Sequence, residues 1–107
     1  MAQYVVRLAH SPDQCPTANS KVRERMVKGA PEIPKLAGKM GIKFIAGPLI
    51  LAAEHESMAV VEAGSAEIVN EFILQSGLMQ WNSVRVSTAQ SLEESVKDLE
   101  KSPPPIY

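Results

Sequence analysis

A disulfide takes two cysteines, and this sequence of 107 residues has one, Cys15. With an internal bridge excluded, Cys15 is a buried apolar residue, a reactive thiol or a metal ligand, and a reducing compartment suits it. Runs of basic residues are missing too. Eleven Lys and Arg stand against twelve Asp and Glu, a formal net charge of -1, so counterion release has little to work with and nucleic acid is not expected as a partner. No apolar run approaches the ~18 residues of a membrane span. The opening MAQYVVRLAH has neither a basic lead nor a long apolar stretch, so no export signal and no membrane are expected and the protein reads as cytoplasmic. No internal repeat stands out. What remains is an ordinary folded composition, 45% hydrophobic and 21% charged. A chain of this length forms one domain and buries roughly two-thirds of the surface it exposes unfolded.

Tyr4, Val6, Leu8 and His10 share one parity in QYVVRLAH, and Val5, Arg7 and Ala9 share the other, which predicts a strand with one strongly apolar face and His10 at its end. A loop with two prolines follows. Asn19 or Ser20 then caps a helix carrying Val22, Met26 and Val27, which falters at Gly29 and Pro31 before Ile33, Leu36, Ala37 and Met40 resume the helical spacing. IKFIAGPLILAA is apolar on both parities and predicts a strand covered on two sides, with Gly47-Pro48 marking a bend or bulge. EHES is the turn into a returning strand over Met58 to Ala63. Ser65 caps a helix with the stripe Ile68, Val69, Phe72 and Ile73, ending at Gly77. A fourth strand runs from Asn82 to Thr88, and Ser91 with Glu94 forms the capping box of a last helix lined by Leu92, Val96 and Leu99. The domain spans 1–102, and 103–107 is a stiff proline-rich tail.

The order strand, helix, strand, strand, helix, strand, helix predicts an α+β, ferredoxin-like βαββαβ fold with an extra C-terminal helix and a four-stranded antiparallel sheet. Val5, Ala9 and the doubly apolar second strand leave the sheet face away from the helices greasy, and a homodimer closing sheet on sheet is the expected remedy. With these elements the chain resembles the dimeric α/β-barrel superfamily, which includes muconolactone isomerases and antibiotic-biosynthesis-type monooxygenases. The resemblance spans nearly the whole chain through YVVRLAH, FIAGPLILAAEHESMAVVEAGS and NSVRVSTAQSLEES. It implies a homodimer and chemistry on a small organic molecule in the cleft between sheet and helices, without a cofactor in some members and on haem in others. It carries no catalytic residue set to this chain, because members differ widely in activity.

Topology also gathers polar groups. The first and second strands run the same way, so His10, the turn with His55 and the Cys15 loop share one rim. Thiolate and imidazole suit zinc or copper, making His10, Cys15 and His55 candidate metal ligands, with Glu54 and Glu56 available to complete or orient the shell. The sequence lacks a paired motif such as C-x-x-C. The plain alternatives are a filler cysteine, a strand-end imidazole bonding a carbonyl and a solvated turn histidine. Without metal, His10 and Cys15 form a candidate catalytic pair, proton carrier and thiolate, with Asp13 either orienting His10 or capping a turn. Trp81 and Asn82 could frame a cofactor, although a lone Trp opening a strand also serves as a packing or interface anchor. Arg7 and Arg85 on neighbouring strands, with Glu62 beyond, balance charge across a dimer seam. Met26, Met40 and Met58 read as core packing. Pro104, Pro105, Ile106 and Tyr107 match a WW-domain ligand by chance or form a strap on a partner subunit.

Three readings follow. In the first, a homodimer binds a transition metal (zinc or copper) or a metal-containing cofactor, haem included, at the His10, Cys15 and His55 rim. In the second, the same rim acts on a small organic molecule. In the third, the domain is an interaction or regulatory module without chemistry.

Overall fold

Alternation in the first strand, β1 (Ala2–Ala9), buries Tyr4 and Val6 on one face and leaves Arg7 exposed on the other, as a period of two requires. The computed structural model describes residues 1–106, so the Pro104–Tyr107 motif ends outside the described residues. After β1 come helices α1 (Ser20–Gly29) and α2 (Glu32–Lys39), strands β2 (Lys43–Leu51) and β3 (Glu56–Ala63), helix α3 (Ala66–Ser76), strand β4 (Ser83–Ala89) and helix α4 (Leu92–Lys101). The break between α1 and α2 falls at Ala30 and Pro31, where the sequence predicts it.

The sheet has the order β2-β3-β1-β4 and every neighbouring pair is antiparallel. With helices between β1 and β2 and between β3 and β4, this is the ferredoxin-like arrangement. The core lies between the sheet and α2 and α3: Tyr4 and Val6 from β1, Val61 and Ala63 from β3, Phe72 and Ile73 from α3, with Ala37 and Ile42 closing it. Phe44 meets Phe72 edge to face, their ring centroids 6.3 Å apart.

Helix ends follow their caps. Asn19 accepts from the amides of Lys21 and Val22, Ser65 from that of Ile68 and Ser91 from that of Glu94. Gly77 ends α3 in the left-handed conformation. Gly47 sits in the irregular part of β2 at φ 78, where an added Cβ would lie 2.8 Å from the Met58 carbonyl oxygen.

Several expectations change. β2 is an edge strand, and Leu49 and Ile50 are 52% and 66% exposed rather than covered on both sides; among the described residues β3 is its only neighbour in the sheet, and the helix layer meets it at Phe44. On α1, Val22 is buried while Val27 faces solvent, because five residues turn Val27 off the stripe that Val22 shares with Met26. Met58 lies on the open sheet face opposite Leu49 rather than in the core. Arg7 and Arg85 are direct cross-strand partners, but Arg7 pairs with Glu56 at 3.7 Å, and Glu62 stands opposite Gln3 and Lys43. The stripe on α4 finds nothing to cover it: Leu92, Val96 and Leu99 are 81%, 44% and 70% exposed. No helix of the described residues is long and apolar enough to cross a membrane.

Candidate metal centre

Because β1 pairs antiparallel with both β3 and β4, the end of β1 meets the starts of its two neighbours, with Ala9 opposite Glu56 on one side and Ser83 on the other. The chain segments that bear His10, His55 and Asn82 are thereby brought to one rim. A backbone bond from His10 N–H to the His55 carbonyl, 3.0 Å, ties the first two directly. His55 itself is the one non-glycine residue with positive φ among the described residues, at φ 54. It ends the short 3-10 turn Ala52–Glu54 with its amide donating to the Ala52 carbonyl. Left-handed backbone is uncommon for a side-chain-bearing residue, and His is among the few enriched there.

Cys15 reaches the same rim through a tightly held loop. Pro12 opens a 3-10 turn over Pro12–Gln14, and the Cys15 carbonyl accepts from both Ala18 and Asn19 N–H. Asn19 bonds the Asp13 carbonyl with its side-chain amide. From α1, Arg23 reaches back with Nε to the Pro16 carbonyl at 2.8 Å and Nη2 to the Thr17 carbonyl at 3.0 Å. The loop is strapped to the helix it precedes.

One donor atom from each of His10, Cys15 and His55 lies within 4.8 Å of the other two. The rings meet edge to face with centroids 5.5 Å apart. Asn82 fixes the His10 tautomer: its Nδ2 donates to the Leu78 carbonyl at 3.0 Å, which leaves Oδ1 to accept from His10 Nδ1–H at 3.3 Å. His10 Nε2 is then the bare nitrogen. It is buried without a partner, as is His55 Nδ1, and among the described residues these are the only buried side-chain nitrogen or oxygen atoms left so. An unpaired buried polar atom costs about 1–3 kcal/mol, and both orphans belong to one cluster with the chain's one thiol.

The Cys15 thiol is pulled down to about 6, first by the Thr17 hydroxyl, whose Oγ1 is 3.0 Å from Sγ, then by the Thr17 amide and by His10 and His55. Burial pushes the other way and is the smallest effect: the residue is packed, but its sulfur faces the cavity. The donor set fits a small thiophilic ion. Zinc or copper bonds of about 2.0–2.3 Å hold ligand atoms ~3.5 Å apart, so the widest separation here, at most 4.8 Å, must shrink by no more than about 1.3 Å.

The cluster lines a cavity of about 300 Å3 with Trp81 and Asn82 on its wall. Those two residues therefore do share the site, Asn82 as the orienting partner of His10 and Trp81 as wall. Asp13 does not orient His10; its carboxylate is bonded within its own loop, by Gln14 and, as a cause of its lowered pKa, Ser11. Glu54 is exposed, and Glu56 is committed to Arg7, so neither joins the donor cluster. Sequence reasoning missed Thr17 and Arg23. The first carries a local signal, a hydroxyl two residues after a cysteine in a turn; the second required knowing that α1 folds back over the loop.

No family profile matches the sequence, and no curated protein matches it closely enough to count as a relative. Among solved structures, the chain is similar in backbone to the C-terminal domain of the MgtC protein from Mycobacterium tuberculosis, at 11% identity and a TM-score of 0.49, covering 83% of this chain and 88% of that one. It is also similar to a de novo designed protein, Ferredog-Diesel, at 12% identity and a TM-score of 0.45, covering 80% of this chain and 82% of that one.

Proposed function

We propose that this protein binds one zinc or copper ion through His10 Nε2, Cys15 Sγ and His55 Nδ1. The observation that carries the reading is the pair of buried, unpartnered ring nitrogens converging with a thiol. An ion satisfies both orphans at once and takes the thiolate that the surroundings already favour. The order of support is chemical: Asn82 presents His10 in the tautomer a ligand needs, as the outer partners of metal-bound histidines do. A cavity of about 300 Å3 beside the three donors suits an ion with a small ligand.

The lowered Cys15 pKa favours a second reading, a metal-free enzyme whose thiolate attacks a small electrophile while His10 moves a proton. Elemental analysis of untagged protein separates the two. One equivalent of zinc or copper per chain is expected, with submicromolar affinity lost in both Cys15→Ala and His55→Ala while the fold is retained by circular dichroism. Folded protein that takes up neither ion at micromolar concentrations overturns the metal reading.

A homodimer belongs to the same proposal, since the exposed face of β2 and the uncovered stripe of α4 call for a second copy. This also matches the dimeric α/β-barrel resemblance and a cytoplasmic setting for the free thiol.

A further inference from the structure

Three protein donors leave a tetrahedral ion one position short. Among the described residues no fourth His, Cys, Asp or Glu joins the cluster, and structural zinc sites are closed by four protein ligands whereas sites that bind or act on molecules keep one open. The wall beside the cluster is apolar, built from Leu8, Met26, Ile50, Leu51, Leu78 and Trp81. No Lys or Arg lines it, and its one carboxylate residue is Glu56. Such a wall favours an apolar body and gives a second negative charge no partner.

Resting on the metal reading above, we propose that the His10, Cys15 and His55 centre holds an open coordination position facing this cavity, and that the position takes a small organic ligand with one soft donor atom on an uncharged, apolar body, an alkyl thiol being the type. On binding to zinc, copper(I) or cobalt(II), the thiol S–H proton passes to solvent, the sulfur–metal bond forms and water at the open position leaves; no electron is exchanged. The cavity, about 300 Å3, suits a small ligand beside the ion.

Cobalt(II) tests this, because its ligand-field and thiolate bands report each ligand. The full chain loaded with Co(II) is titrated with 1-butanethiol and separately with 3-mercaptopropionate, which share a thiol and differ in the tail. Butanethiol is expected to give a saturable spectral change at a concentration about tenfold or more below that of the carboxylate. Bound cobalt is counted after gel filtration. A spectrum unmoved by either thiol, or cobalt stripped without a ternary complex, overturns the open position, and equal affinity for both overturns the apolar-ligand assignment, while the metal reading stands. Failure to bind Co(II), zinc or copper at all overturns the metal reading and this inference with it. The two-thiol comparison uses the unaltered chain and needs no variant to fold.

Discussion

A thiol lowered by a neighbouring hydroxyl and amide can be tuned without disturbing the core. Cys15 sits at about 6, below the 9.0 of a free thiol, and Thr17 is the largest cause. The direction sets a pH window: a depressed folded value adds stability that is complete above the unfolded pKa and is lost as pH falls through about 6. In metal-free protein, iodoacetamide alkylation of Cys15 is therefore expected to rise through a midpoint near 6. Thr17→Val moves that midpoint up toward the ordinary thiol range. An unshifted midpoint in the variant would assign the effect to the histidines instead. At this scale the sequence was partly legible. His10, Cys15 and His55 are rare residue types whose positions at strand ends and turns follow from element order. The role of Asn82 was not legible as such, because it depends on β1 and β4 pairing across 72 residues of sequence.

Among elements, the loop between β1 and α1 decides whether the donors stay assembled. Its prolines narrow the backbone, yet its position is set by Arg23, whose two bonds to Pro16 and Thr17 carbonyls run from a solvent-exposed side chain. Arg23→Ala removes both. Water can replace them on an exposed surface, so the stability loss is expected to be only ~1 kcal/mol. Metal affinity should fall by about tenfold, the scale seen when outer-shell support is removed. Denaturant unfolding and zinc titration of one variant measure the two effects, and a stability loss without an affinity loss would make the strap merely structural. Caps and strand parities told most of the element story in advance: Asn19, Ser65, Ser91 and Gly77 act where local chemistry places them. β2 misled because its doubly apolar pattern describes what the strand needs, and a single chain does not supply it.

That unmet need governs the whole molecule. A chain of 107 residues folded as a sphere-like domain has a radius of gyration of ~13 Å, whereas this one has 16.4 Å and extents of 54 by 32 by 19 Å. Helix α4 contributes no buried residue. Its Leu92, Val96 and Leu99 recur at helical spacing on one side, each able to contribute about 1.5–3 kcal/mol when fully covered, and the open face of β2 adds Leu49. Uncovered apolar stripes of this kind mark interaction surfaces, and a pair of chains related by a twofold axis covers the same stripe on both copies with one interface. Light scattering of the purified protein at micromolar concentration is expected to give twice the chain mass of 11.6 kDa. The double variant Leu92→Glu with Leu99→Glu should run as a monomer with an intact sheet, since neither side chain touches the core. If α4 instead only decorates a stable monomer, the unaltered chain will already scatter as 11.6 kDa, and the charges will change neither mass nor melting temperature.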